Sequence, residues 1–411
     1  MRSMVLVAVV TLLAAAMPVN AADASFVDFD RRARAGERLN VVFFGASLTW
    51  GANATDPQRT SFRALVARRL EAAYPEAHFT FHDAAIGGTG SQLGVFRLDR
   101  DVLSRKPDLV FVDFSANDDI HSDNPETLAS YEAIIRRIII EARAPVVQVI
   151  FPFMWNVAAG STDGMKRRDA HLAISTAYGT ACGDAIALAI ERVGAKQTTI
   201  ERLWPVDGVH PGDEGYALFA DAAWEAFQKA VAAKRVCAAP QKMLHADTYM
   251  RSARVRISSL SPLPAGWRVS RPHVVSAYYD MLMSRWLDDL TVAGGTKSPP
   301  AEKLKVRVSA SMIMLFGEQT TRSGRFRVYV DGRLVEHQHP RTKKMEKEFD
   351  AGWLAKMCGG NVHLTQVIVE GLDPSVEHTL EIEPVLEADQ ELRIESICVA
   401  GGSAMVRRAE R

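Results

Sequence analysis

Short apolar runs alternate with helical patterns between residue 39 and about residue 236. The runs occupy residues 41–44, 79–86, 109–114 and 145–151. Runs of this kind are typical of parallel strands that are covered on both faces. The sequence therefore predicts an α/β fold with a doubly wound parallel sheet of flavodoxin-like type. Ligands of such sheets bind at the carboxyl ends of the strands.

The intervening segments carry helix signals. The first has an apolar stripe, and the next opens with Asn124 as a cap and Pro125 at the first helical position. In the last, apolar residues between 216 and 230 recur at the spacing of one helix face. These patterns predict helices that cover the sheet.

The sequence pattern changes after the proline-containing segment 237–242. Short β-rich runs follow, with turn residues between them, at residues 254–257, 305–308, 326–330, 364–370, 378–383 and 392–399. Several short strands of this kind predict a β-sandwich of jelly-roll type. We therefore expect one domain over residues 22–240 and a β-sandwich domain over residues 241–411.

The N-terminus has the pattern of a signal peptide. Arg2 precedes an apolar stretch over residues 4–17, and small residues lead up to Ala21. Cleavage after Ala21 would leave 390 residues, secreted or periplasmic. The stretch is too short for a stable membrane anchor, and no later apolar run reaches about 18 residues.

Charge and cysteine content narrow the function classes. Without residues 1–21 the chain carries 48 basic and 49 acidic side chains, which gives no electrostatic case for nucleic acid or an anionic membrane. The four cysteines permit three disulfide connectivities. Pairing within each domain would join Cys182 to Cys237 and Cys358 to Cys398, and four free thiols are the alternative. No cysteine and histidine pattern suggests zinc.

Two turns follow the first two predicted strands. Ser47 comes directly after a strand in the turn Gly45-Ala46-Ser47, where its hydroxyl can be exposed as a nucleophile or can serve only as a helix cap. The second strand ends in a glycine-rich turn around Gly88, which can aim backbone N–H groups inward. A phosphate-binding loop is the rival interpretation, but the glycine spacing misses the dinucleotide pattern by one residue.

Asn117 follows the third strand and brings an amide donor to the same edge. The acidic residues after it, together with His121, fit no metal-ligand spacing, so we interpret them as solvated loop charges. Further along, Asp207 and His210 lie three residues apart on one loop before the last helix. A carboxylate at that distance can orient its neighbouring base.

The order of these four blocks resembles the SGNH, or GDSL-like, hydrolase superfamily over residues 39 to about 236. The resemblance implies that Ser47 is the nucleophile, that Asp207 and His210 complete a triad, and that Gly88, Asn117 and the Ser47 N–H form the oxyanion hole. Two positions depart from the family pattern, because Ala46 replaces Asp and Ser115 replaces Gly. The chain has no GxSxG motif, which disfavours the α/β-hydrolase fold.

The implied chemistry is two-step acyl transfer through an acyl-enzyme, and this mechanism needs no metal or organic cofactor. Export, neutral charge and the appended β-sandwich favour removal of acetyl or other short acyl groups from a glycan. A lysophospholipase or thioesterase of the same superfamily and an inactive glycan-binding protein are the alternatives. The sequence does not predict an oligomeric state.

Aromatic residues supply candidate sugar-stacking surfaces. Trp50 and Trp155 lie near strand ends of the first domain, so we interpret them as substrate-site residues, with core packing as the alternative. Tyr278, Tyr279 and Trp286 of the second domain lie among apolar neighbours, and for these we favour core packing.

Overall fold

A computed structural model of the chain describes residues 24–277, 281–295, 300–339 and 342–409. The predicted signal peptide, residues 1–21, lies outside the described residues, as do Tyr278 and Tyr279. Within the described residues no helix is long and apolar enough to cross a membrane.

The first part of the chain alternates strands and helices. These elements are, in chain order, β1 (Ala24–Ser25), α1 (Phe26–Arg34), β2 (Arg38–Gly45), α2 (Ser47–Trp50), α3 (Phe62–Ala73), β3 (His78–Ala85), α4 (Ser91–Asp101), β4 (Leu109–Val112), α5 (Pro125–Arg137), β5 (Val146–Ile150), α6 (Met154–Ala158), α7 (Lys166–Tyr178), β6 (Ala181–Asp184), α8 (Ala185–Gly194), α9 (Ile200–Leu203), α10 (Asp213–Ala232) and β7 (Val236–Cys237).

Five strands of the described chain form one parallel sheet in the order β3-β2-β4-β5-β6. Phe43 and Phe44 point to opposite faces of β2, as successive strand residues do. Phe43 packs on Phe62 of α3, whereas the Phe44 ring lies beneath the guanidinium of Arg97 in α4. Helices therefore cover both faces, and the predicted doubly wound α/β sheet is confirmed.

Helix signals in the sequence have the expected structural basis. The Asn124 side chain accepts hydrogen bonds from the N–H groups of Glu126 and Thr127, which caps α5. The strand β6 was not predicted, because Gly183 and Asp184 interrupt its apolar pattern. A backbone carbonyl of α10 lies 2.6 Å from the point where a Cβ on Gly183 would stand, so the glycine allows this helix to pack closely.

The second part of the chain is β-rich. Its elements are β8 (Ser252–Arg256), β9 (Trp267–Ser270), β10 (Leu290–Gly294), β11 (Leu304–Ser309), β12 (Met312–Gln319), β13 (Arg325–Val330), β14 (Arg333–Leu334), β15 (His337–Gln338), β16 (Met345–Glu346), β17 (Phe349–Asp350), α11 (Trp353–Cys358), β18 (Val362–Val369), β19 (His378–Val385), β20 (Glu391–Ala400) and β21 (Met405–Arg408).

Two antiparallel sheets face each other across an apolar core, which confirms the predicted β-sandwich. In the described residues one sheet has the order β18-β12-β20-β10-β9 with β8 beside β20, and the other has the order β14-β13-β19-β11-β21 with β17 beside β13. The boundary predicted at residue 240 lies in the segment between β7 and β8.

The strand β12 is buried on both faces, which explains why its sequence does not alternate. Ile313 and Leu315 point into the sandwich core, whereas Met314 and Phe316 join the core of the first domain. Trp286 is 1% exposed in the same interdomain core, as expected for core packing. The two domains therefore share a continuous apolar interface.

The suggested disulfides are wrong, because all four cysteines are free thiols. Cys182 packs beside a small cluster around Ile150, whereas Cys237 belongs to the main core. Cys398 is buried within β20, and Cys358 ends α11. Burial raises the pKa of the Cys182 and Cys398 thiols to about 12.

Candidate active site

The turn after β2 presents Ser47 at the first position of α2. Its backbone geometry depends on Gly45: a Cβ there would stand 2.1 Å from Thr49 Oγ1 and 2.5 Å from the carbonyl oxygen of Asp113. Only glycine allows the strand end to approach both groups this closely. Ala46, which stands where the family pattern has Asp, is fully buried.

The loop before α10 brings His210 and Asp207 to Ser47. His210 Nε2 lies 3.1 Å from Ser47 Oγ, and His210 Nδ1 lies 3.4 Å from Asp207 Oδ2. The N–H groups of Val209 and His210 both donate to Asp207 Oδ1 at 2.7 Å. A hydroxyl, an imidazole and a carboxylate are thus arranged in series, as nucleophile activation requires.

Asn53 was not identified from the sequence, although it contacts two members of this series. Its side-chain amide donates to Asp207 Oδ2 at 2.8 Å, and the same nitrogen lies 3.4 Å from the His210 carbonyl oxygen. Asn53 has a φ of 66°, a left-handed conformation that Asn tolerates better than most residues. Burial alone would raise the pKa of Asp207, but the hydrogen bonds from His210, Asn53 and Val209 lower it.

Gly88 and Asn117 lie in turns after β3 and β4, beside the turn that carries Ser47. Gly88 has a φ of 71° and is exposed, and Asn117 is half-buried. The two turns are joined directly, since the Ser91 N–H donates to Asp118 Oδ1 at 3.0 Å. A Cβ on Gly90 would stand 2.2 Å from that oxygen, so the glycine-rich turn packs closely on the Asn117 turn.

The interpretation of all the acidic residues after Asn117 as solvated charges is wrong for Asp118. Asp118 is buried beside Arg167, whose Nη1 lies 4.0 Å from Asp118 Oδ2. Burial raises the pKa of Asp118 to about 6, against the effects of Ser91 and Arg167. Asp119 and Asp123 are exposed, as predicted, and Asp123 pairs with a lysine.

Ser115, which replaces the family's Gly, has a structural role that its side chain explains. Its hydroxyl donates to Asp113 Oδ1 at 2.9 Å and accepts from the Phe151 N–H at 2.9 Å. The ends of β4 and β5 are thereby connected just before Asn117. Burial raises the pKa of Asp113 to about 7, although the Ser115 donors act in the opposite direction.

Arg97 connects the two strands that lead to Ser47 and Gly88. Its buried guanidinium donates at 2.8 Å to the carbonyls of Gly45 and Ala84, and it pairs with Asp101 at 2.9 Å. No sequence pattern indicated this role, because a long polar side chain in an amphipathic helix is usually solvent-exposed.

The two tryptophans predicted in the substrate site differ in exposure. Trp155 is 51% exposed, and its ring lies 3.3 Å from the point where a Cβ on Gly208 would stand. It therefore forms part of the surface beside the Asp207–His210 loop. Trp50 is half-buried, and its carbonyl accepts from Arg63 Nε at 3.3 Å.

Comparison with known proteins finds a matching family model and a related enzyme. Residues 43–218 match the GDSL-like Lipase/Acylhydrolase family. An acetylxylan esterase from Geobacillus stearothermophilus is 25% identical over 209 residues, which cover 46% of this chain and 92% of that enzyme.

Two solved structures share the two-domain fold. They are crystal structures of a two-domain esterase (CEX) active on acetylated mannans, one of them co-crystallised with mannopentaose. The mannopentaose structure has a TM-score of 0.72 and 21% identity, and covers 93% of this chain and 95% of the other. The second has a TM-score of 0.72 and 22% identity, and covers 92% and 95%.

The matched segment contains the Ser47, Asp207 and His210 series, together with Gly88 and Asn117. The resemblance to the GDSL-like Lipase/Acylhydrolase family over residues 43–218 therefore includes every residue of this arrangement.

Proposed function

We propose that this protein is a serine esterase that removes acetyl or other short acyl groups from a polysaccharide. The observation that carries the proposal is the placement of His210 between Ser47 and Asp207, with Nε2 3.1 Å from the hydroxyl oxygen. This is the geometry in which a neutral imidazole accepts the hydroxyl proton as that oxygen attacks a carbonyl.

The reaction proceeds in two steps. Ser47 Oγ attacks the ester carbonyl carbon, and His210 carries the Ser47 proton to the departing sugar oxygen. Water, deprotonated by His210, then attacks the acyl carbon; the bond to Ser47 Oγ breaks, His210 returns the proton to that oxygen, and the carboxylic acid leaves. Asp207 holds the imidazole and stabilises its cation in both steps.

Three donors are assigned to the developing oxyanion: the N–H groups of Ser47 and Gly88 and the side-chain amide of Asn117. Their turns adjoin at the carboxyl edge of the sheet. Donors held in place before the reaction stabilise the tetrahedral intermediate without reorganisation.

Relatives of this chain support the acetylated-glycan substrate. The acetylxylan esterase and the esterase active on acetylated mannans are both named for acetylated polysaccharides. The exposed ring of Trp155 beside the Asp207–His210 loop offers a face on which a sugar can stack. The signal peptide predicted over residues 1–21 agrees with a substrate outside the cell.

The substrate proposal is tested by acetate release. Wild-type protein and Ser47→Ala are incubated with acetylated xylan, acetylated mannan and other acetylated polysaccharides. We expect acetate release by the wild type alone, and the absence of release from every polysaccharide would overturn the proposed substrate.

p-Nitrophenyl esters of increasing chain length separate the alternative functions, because a lysophospholipase or thioesterase would prefer long acyl chains. A fluorophosphonate would label Ser47 in an esterase and would leave an inactive binding protein unlabelled.

The role of Asn117 is tested separately. We expect Asn117→Ala to lower kcat about 10²- to 10³-fold, as the loss of one oxyanion donor does elsewhere, with little change in Tm. Asn124→Ala is the matched control, because it removes a side-chain amide that caps α5 and should change Tm without changing kcat. An unchanged kcat for Asn117→Ala on p-nitrophenyl acetate would remove Asn117 from the mechanism.

A further inference from the structure

Two cavities of about 430 and 420 Å³ lie along the free edge of β3. They meet at Asp83 of β3 and at Arg285 of the second domain, which line both. We call them together the β3 furrow. Their size is that of pockets that hold small molecules or sugar units.

The β3 furrow begins beside the nucleophile turn. One cavity reaches Ala85, whose Cα pairs with Gly45, two residues before Ser47. The other reaches Arg63, whose Nε donates to the Trp50 carbonyl at 3.3 Å. A chain molecule whose ester lies at Ser47 would therefore have this end of the furrow close to its neighbouring units.

Positive charge predominates in the β3 furrow. Six guanidinium groups line it, but only three carboxylates do. The carboxylates belong to Glu71, Asp83 and Asp101, and the guanidinium groups belong to Arg63, Arg68, Arg97, Arg100, Arg105 and Arg285.

Two of these carboxylates are already shared between arginines. Asp101 pairs with Arg97 and Arg100 at 2.9 Å, and Asp83 pairs with Arg285 at 3.3 Å and Arg63 at 3.5 Å. From outside the furrow, Asp288 pairs with Arg100 at 3.3 Å.

Arg68 and Arg105 are exposed at the rim, one on each cavity. Among the described residues, neither has a carboxylate within ion-pair distance. His82 lines both cavities, and burial and the charge of Arg105 lower its pKa, so the surplus positive charge does not depend on this imidazole.

Inside the furrow, two buried guanidinium groups are incompletely hydrogen-bonded. Arg63 Nη2 lies 3.5 Å from Asp83 Oδ2 in an ion pair without hydrogen-bond geometry, and Arg97 Nε has no hydrogen-bond partner among the described residues. A ligand that carries negative charge would compensate the surplus positive charge of the furrow.

We infer that the β3 furrow binds the carboxylate of an acidic sugar unit, a uronate, carried by the acetylated polysaccharide. Arginine binds a carboxylate through paired N–H donors, and the furrow presents several such groups along one channel. This inference rests on the proposed function, because it places the ester of the same polysaccharide at Ser47.

The test measures binding rather than turnover. Ser47→Ala protein is titrated with an unacetylated xylo-oligosaccharide that bears one glucuronate, and with the same oligosaccharide after reduction of its carboxyl group to an alcohol. We expect the acidic form to bind about fivefold more tightly at low salt, with the difference decreasing as ionic strength rises.

The double variant Arg68→Gln/Arg105→Gln, made in the Ser47→Ala protein, should abolish this difference. Both side chains lie at the exposed rim, so in an otherwise wild-type chain the substitutions should leave p-nitrophenyl acetate turnover unchanged. Arg38→Gln is the matched control, because Arg38 is also exposed but lies at the opposite end of β2, and it should retain the preference.

Equal affinity for the two oligosaccharides, no binding of either, or a preference that survives the double substitution would each overturn the inference. These outcomes are separate from failure of the proposed function. That failure would appear instead as the absence of Ser47-dependent acetate release by the wild-type enzyme.

Discussion

Asn53 provides the sharpest test of how the loop around Asp207 works. Its amide donates to Asp207 Oδ2 at 2.8 Å, the same oxygen that faces His210 Nδ1. Because Asn53 has a left-handed backbone, replacement by Ala would add strain, whereas Asn53→Gly removes the amide and leaves the backbone relaxed. The variant therefore reports on the hydrogen bond.

The expected magnitude follows from the exposure of the pair. A hydrogen bond to a charged group contributes about 1.5–3 kcal/mol when it is well shielded. The Asp207 side chain is 43% exposed, so water replaces part of the lost donor, and we expect a loss of about 1 kcal/mol. This corresponds to a decrease of about fivefold in kcat/KM.

A titration adds a second readout. Asn53 helps to lower the pKa of Asp207, so its removal should raise that pKa. Carboxyl NMR titration of Asp207 in wild type and Asn53→Gly measures the change, and an unchanged pKa would contradict this role of Asn53.

The assay is initial-rate hydrolysis of p-nitrophenyl acetate by wild type, Asn53→Gly, Asp207→Ala and the double variant. If Asn53 acts through Asp207, its removal should have no further effect once the carboxylate is absent. A change of less than twofold in Asn53→Gly, or a fivefold loss that persists in the Asp207→Ala background, would refute the reasoning.

Three further predictions concern the scaffold of the site. Gly45→Ala places a Cβ 2.1 Å from Thr49 Oγ1 and should lower both Tm and kcat. Gly194→Ala is the control, because its Cβ would meet open space, and activity and thermal-melting assays should show both values unchanged. Arg97→Met leaves Asp101 with Arg100 alone and removes the donor of the buried Gly45 and Ala84 carbonyls, so it should destabilise the fold by about 3 kcal/mol in urea unfolding; addition of Asp101→Leu should restore part of this loss. Burial raises the pKa of Asp113 to about 7, so its ionisation opposes folding increasingly as pH rises from about 4 to about 7; Asp113→Asn should raise Tm relative to wild type at pH 8 but not at pH 4.

Much of the fold was predictable because its signals are local. The apolar run before Ser47 marks β2, and Asn124 with Pro125 marks the start of α5. The short strand β6 and the doubly covered β12 were missed, since Gly183 interrupts one pattern and burial of both faces removes alternation from the other. The cysteine pairing was wrong because composition does not report which core a thiol enters.

The sequence by itself determined which side chains are candidates for the chemistry: Ser47 after a strand, and Asp207 and His210 on one loop. A strand end and a three-residue spacing are properties of neighbouring residues, so they are visible before folding.

Only the tertiary structure decided which distant residues support these groups. Asn53 lies 154 positions from Asp207, and Arg97 lies 52 positions from the Gly45 carbonyl it holds. The β3 furrow likewise exists because Arg285 of the second domain meets Asp83 of the first. Such contacts depend on how strands and domains pack, and no local sequence pattern encodes a partner that is brought near only by that packing.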